Sequence, residues 1–157
     1  MKSLQLFVFA FAALMAVPVV AQDKPANNME ILRQKIRADK KLLVAANMDL
    51  TESEAKGFWP IYDEYQKDLQ GINERLGQAI QSYADAYNNK SLTDQQAKHL
   101  LDEALAVQQA EVTMRKAYAD KLAQVLPARK VARYLQIENK IRAAINYELA
   151  EGIPLVP

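Results

Sequence analysis

The chain has 157 residues, of which 50% are hydrophobic and 25% charged, with 20 basic and 19 acidic side chains, one histidine and no cysteine. Near-neutrality gives no basis for general binding to nucleic acid or to an anionic membrane surface, and the lack of cysteine excludes disulfides and thiol chemistry. The length suits one domain, whose stability must come from burying apolar side chains.

The first element in chain order reads as a leader. Lys2 precedes an apolar run from Leu4 to Val17, and Val19-Val20-Ala21 leads into the polar Gln22-Asp23-Lys24. A basic start, an apolar stretch and a small residue at the boundary are the layout of a secretory signal peptide. The expected cleavage follows Ala21, so residues 1–21 are a leader and 22–157 a single exported domain. A membrane-spanning reading is weaker, because the run is short and has no basic stop-transfer flank. Without Lys2 the exported chain holds 19 basic and 19 acidic residues, a net charge of zero, and no membrane insertion is expected of it.

From residue 27 onwards the apolar spacing is helical. The spacing predicts a first helix over about 28–47, rich in Arg33, Lys35, Arg37, Lys40 and Lys41 against Glu30 and Asp39, a net of +3. A second, over about 52–88, carries Phe58, Tyr62, Tyr65, Leu69, Ile72, Leu76, Ala79 and Tyr83 at alternating steps of four and three. That seam implies packing along its length against another helix, over about 55 Å. Residues 51–90 hold seven acids and four bases, a net of −3. The basic and acidic segments could attract each other, or the basic one could face a partner.

Asn88-Asn89-Lys90-Ser91 breaks the pattern, and a third helix starts at Thr93 with two apolar stripes. Leu101, Leu105, Val112, Ala119, Leu122 and Leu126 form one; Leu100, Ala104, Val107, Met114, Tyr118 and Val125 form the other. One stripe can face the preceding helix, and the other needs the first helix, the last helix or a second subunit. Pro127 suits the first turn of a last helix over about 128–150, with Val131, Tyr134, Ile141, Ile145 and Leu149 apolar. Gly152 is placed for a C-terminal cap, opening an extended tail over 152–157. The fold class is all-α: four helices with a long antiparallel helical hairpin.

Leu50-Thr51-Glu52-Ser53-Glu54 and Leu92-Thr93-Asp94-Gln95-Gln96 repeat one signal. Each threonine hydroxyl can accept from the N–H three residues on, while Glu54 or Gln96 reaches back to the threonine N–H. Loss of either threonine is expected to cost roughly 1 kcal/mol. Two such motifs heading helices of an exported, cysteine-free chain resemble the CpxP/Spy, or LTXXQ-motif, family of periplasmic proteins. The second copy matches the pattern in full, and the first has Glu54 in place of glutamine. The resemblance implies a periplasmic four-helix protein that pairs into a curved antiparallel homodimer. It also implies one of three roles: an ATP-independent chaperone, a damper of envelope-stress sensors, or a metal-responsive accessory protein. The metal role fits poorly, since His99 has no second histidine to share an ion, and no metal or other cofactor is expected.

Within the second helix, Gly57-Phe58-Trp59-Pro60 is the locally discordant stretch. Pro60 cannot donate to the Lys56 carbonyl and its ring crowds it, so the sequence predicts a kink or a break and restart, with Gly57 easing the bend. Phe58, Trp59, Ile61, Tyr62 and Tyr65 read as an aromatic core plug; the functional alternative leaves Trp59 on a binding surface.

There is no cysteine nucleophile, no histidine paired with an obvious serine, no glycine-rich phosphate loop and no recognisable catalytic motif among the acids, so an enzyme is not expected. A holdase needs apolar surface rimmed by charge, a mixture found in Ile31, Leu32, Arg33, Lys35, Ile36, Arg37 and Lys40, with Trp59 as a further candidate. The expected function is a periplasmic holdase of the envelope stress response whose partners are unfolded or envelope proteins. The alternative is a regulator docking on one envelope-stress sensor.

Overall fold

The computed structural model describes residues 38–157. Among them the fold is all-helical with four helices: α1 over 38–48, α2 Glu52–Asn88, α3 Asp94–Leu122 and α4 Ala128–Gly152. They divide into two compact units, 50–135 with 155–157, and 38–49 with 136–154, the division falling inside α4.

In the larger unit α2 and α3 lie against each other, and the pairs that join them run in opposite chain directions. Lys121 meets Glu64, Tyr118 meets Asp68 and Arg75 meets Glu103. Both helices begin with reciprocal capping. Thr51 Oγ1 accepts from the Glu54 N–H at 3.3 Å while the Glu54 carboxylate accepts from the Thr51 N–H at 2.8 Å. Thr93 and Gln96 repeat this at 3.2 and 3.0 Å. The helix-start donors that would otherwise lack partners are satisfied by the residues that begin the helix.

The core is aromatic. Tyr134, fully buried on α4, stands edge-on to Phe58 at 5.2 Å and to Tyr65 at 5.7 Å, and Tyr65 meets Tyr118 edge-on at 5.3 Å. Such edge-to-face contacts add to the apolar area that these large rings withdraw from water. Tyr62, Leu69, Ala86, Val107, Leu122, Leu126 and Val131 are the other buried apolar side chains of this unit.

α2 runs uninterrupted through Pro60, so there is no break and restart. The physical reason lies in the side on which the proline falls. Pro60 and Lys56 are both exposed, so the carbonyl that loses its intrahelical donor belongs to a residue on the water side, where solvent can satisfy it. Gly57 has a packing role that the sequence did not reveal. A Cβ there would lie 2.9 Å from Val125 Cβ, so glycine is what lets α2 approach the connection between α3 and α4.

The seam of α2 is fully buried only at Phe58, Tyr62, Tyr65 and Leu69; Ile72, Leu76, Ala79 and Tyr83 are half-buried, and burial passes to Gly77 and Ala86.

The reversal after α2 is a Schellman turn. Ser91 N–H donates to the Ala86 carbonyl at 2.9 Å and Lys90 N–H to Tyr87 at 3.1 Å, with Lys90 left-handed at φ 50°. α3 ends at Leu122, earlier than its apolar stripe, and residues 123–126 turn so that Leu126 is still buried. Pro127 stands just before α4, its carbonyl accepting from Lys130 and Val131. Gly152 is the last residue of α4 and no described glycine has positive φ, so it is not the left-handed cap expected. Instead Ile153 N–H continues the helical pattern to Leu149 at 3.0 Å, and the irregular tail begins one residue later than expected.

In the smaller unit, Val44 and Met48 are the buried side chains of α1, one helical turn apart. Glu138 of α4 is 4% exposed and accepts from Lys40 Nζ at 2.8 Å. A carboxylate so deeply placed is tolerable because a cation neutralises it.

Candidate functional site

Of the residues expected to bind clients, Ile31, Leu32, Arg33, Lys35, Ile36 and Arg37 lie outside the described residues, as does the leader with Ala21. Lys40 and Trp59 can be placed. Lys40 directs its ammonium to Glu138, and its side chain is 13% exposed. The basic helix therefore spends this charge within its own unit.

What α1 offers to solvent is apolar. Leu42 is 67% exposed and Leu43 45%, beside the half-buried Lys41. The period explains this. Val44 and Met48 take the buried line, and Leu42 and Leu43 fall about 100–200° away from Val44 around the helix. Asn47 Nδ2 donates to the Leu43 carbonyl at 2.8 Å, fixing the last turn under these leucines.

Trp59 is half-buried in the larger unit. Its ring stands edge-on to Phe58 at 4.9 Å and to Tyr62 at 5.3 Å. It belongs to the aromatic cluster while keeping part of its surface in water, so the core and surface descriptions each hold for part of the ring.

α3 presents a second apolar surface. Leu101, Leu105 and Val112 are 59%, 54% and 60% exposed. Val107 and Tyr118 of the other stripe are buried, and the stripe of these three is itself buried at its end, at Leu122 and Leu126. On the other flank of α3, an open groove of about 630 Å³ runs past Ala106, Ala110, Thr113 and Ala117 to Tyr118, Asp68 and Lys121. Tyr118 donates to Asp68 at 2.6 Å and Lys121 lies 4.5 Å above the Tyr118 ring. Burial, then the Asp68 carboxylate, pushes the Tyr118 phenol above the ordinary tyrosine range.

The two capping motifs differ in their surroundings. Gln96 serves its own helix start, whereas Glu54 also accepts from Lys130 Nζ at 2.6 Å. The Lys130 ammonium, followed by the Thr51 N–H, holds the Glu54 carboxyl below the ordinary carboxylate range. The acid at the first motif thereby ties the start of α2 to the first turn of α4.

Among the described residues, no group of three histidine, cysteine, aspartate or glutamate side chains could hold a metal ion, and His99 is exposed. No helix among them is long and apolar enough to cross a membrane. Sequence reasoning missed the Lys40–Glu138 pair, whose partners are 98 positions apart. It had singled out Leu101, Leu105 and Val112 as apolar without fixing that they face water. No protein-family model, curated protein or solved structure matches the chain, so the likeness to the CpxP/Spy family rests on the two capping motifs and the helical layout.

Proposed function

We propose that the protein is an exported, ATP-independent holdase that binds unfolded envelope proteins, working by association rather than catalysis. The observation that carries this reading is the pair of exposed leucines, Leu42 and Leu43, on a helix whose sequence is basic. Exposed apolar side chains beside charge suit weak capture of unfolded segments while the protein itself stays in solution. The resemblance to the CpxP/Spy family supports the same reading and adds a periplasmic location, a long antiparallel hairpin formed by α2 and α3, and a curved homodimer.

The test is aggregation of two unrelated denatured proteins, followed by light scattering without ATP at low and high salt. The purified protein is expected to suppress both, and Leu42→Ser/Leu43→Ser to suppress neither while retaining its helical circular dichroism. A helical protein that leaves both clients to aggregate would remove the general-chaperone reading. The regulator reading would then lead, with one envelope-stress sensor as the docking partner.

A further inference from the structure

One row of α1 holds the helix in place. Lys40, Val44 and Met48 follow one another at four-residue steps and fall within roughly 80° around the helix. Lys40 donates to Glu138 of α4 at 2.8 Å, the two side chains 13% and 4% exposed. Val44 and Met48 are buried, and they are the apolar side chains that the described part of α1 withdraws from water, whereas Leu42 and Leu43 stand in it. Local opening is cheapest where buried apolar contact is least. A deeply placed ion pair adds little to keep α1 closed, because taking both charges out of water offsets most of their attraction.

The connection to α2 also suits release. Asp49, the residue after α1, is left-handed at φ 48°, a conformation that is unfavourable for an L-residue other than glycine and that opening relieves. Just beyond it, Thr51 and Glu54 cap α2 with their own side chains, and Lys130 holds Glu54. The start of α2 keeps these partners whether or not α1 is in place.

We propose that α1 is a strap that opens about Asp49 while the aromatic core stays folded, with the Lys40–Glu138 pair as its latch. Closed, α1 offers Leu42 and Leu43 to solvent. Open, it offers the apolar run from Leu42 to Ala46 with Met48 beyond it, a longer segment for an unfolded client to meet. The opening stands by itself; its use in capture rests on the holdase reading above.

The experiment is hydrogen exchange of the purified protein, read by mass spectrometry over peptides from 38–49 and from 58–69. In the wild type, 38–49 is expected to exchange about tenfold faster or more. Lys40→Met leaves Glu138 without the Lys40 ammonium and is expected to raise the opening of 38–49 by a further factor of about ten or more. Lys40→Met/Glu138→Leu replaces the pair with apolar side chains and is expected to return opening to the wild-type level or below it, with 58–69 unchanged in both variants. Equal exchange of the two segments in the wild type, or a parallel change of both in the variants, would overturn the strap. Capture is read with Lys40→Cys/Glu138→Cys in this otherwise cysteine-free chain. A short bismaleimide bridges the two thiols and pins α1, whereas N-ethylmaleimide caps them and leaves it free. The capped protein is expected to suppress aggregation of the two denatured proteins, and the bridged protein severalfold less. Equal suppression by both would overturn the role of opening in capture and leave the holdase reading standing. Suppression by neither, nor by the wild type, with exchange as expected, would support the strap and remove the holdase reading.

Discussion

Gly57→Ala offers a sharp test of how the aromatic core is closed. In an unconstrained helix the added methyl would stabilise by roughly 0.5–1 kcal/mol, since glycine loses the most backbone freedom on folding. Here the new Cβ would sit 2.9 Å from Val125 Cβ and 3.0 Å from its Cγ1, well inside the ~3.5–4.0 Å optimum for carbon pairs. Val125 Cβ is fixed to its own backbone, so α2 or the connection after α3 has to move. Overpacking of this kind costs about 1–3 kcal/mol, and the net effect is a destabilisation of about 1 kcal/mol after the helical gain. Val125→Gly removes both crowding atoms. In that background Gly57→Ala is expected to stabilise, so the sign of one substitution reverses with the residue opposite. Urea unfolding followed at 222 nm measures all four proteins of the cycle. Stabilisation by Gly57→Ala in the wild-type background would refute the close approach.

Glu54→Gln keeps the capping geometry that Gln96 shows at the second motif but loses the charge facing Lys130. Because the folded Glu54 lies below its ordinary value of 4.5, its contribution is present above that value and is lost as pH falls through the folded one. The stability gap between wild type and Glu54→Gln should therefore be open at neutral pH and close in acid, and a gap unchanged by pH would dismiss the ion pair as its source. Lys90→Gly relieves a left-handed non-glycine residue and should stabilise by about 0.5–1 kcal/mol in the same unfolding assay. Tyr118→Phe removes the 2.6 Å bond to Asp68 and is expected to cost about 1.5 kcal/mol. The Tyr118 phenol is raised above 10.0, so its contribution is complete below that value and is lost as pH rises through the folded one. A late-ionising tyrosine in the ultraviolet titration should be absent from Tyr118→Phe.

Local chemistry was legible in the sequence; the partners of each face were not. The capping boxes at Thr51 and Thr93 need only neighbours three residues away, and Phe58, Tyr62 and Tyr65 announce their burial by size and spacing. Of the kink and the break that Pro60 allowed, the break does not occur, because a proline disrupts a helix less when the orphaned carbonyl faces water, and the sequence does not say which side of α2 is wet. The stripe at Leu101, Leu105 and Val112 shows the same limit in reverse. Its period marks a face, but two apolar stripes compete for one neighbouring helix: Val107 and Tyr118 of one are buried, while the other is buried at Leu122 and Leu126 and exposed at Leu101, Leu105 and Val112. The pairing of Lys40 with Glu138 was not legible either, because its partners lie 98 positions apart.

The distribution of burial gives these surfaces different footings. Phe58, Tyr65, Tyr118, Leu122 and Tyr134 concentrate at the start of α2, the end of α3 and the start of α4, where three helices supply side chains to one cluster. Beyond Leu69 the seam of α2 is half-buried, and α2 is linked to α3 there by polar pairs such as Arg75 to Glu103 at 2.8 Å. Local opening free energy follows buried apolar contact, so the aromatic end is the anchored one. The exposed Leu101 and Leu105 lie toward the thinner end of the α2–α3 pair.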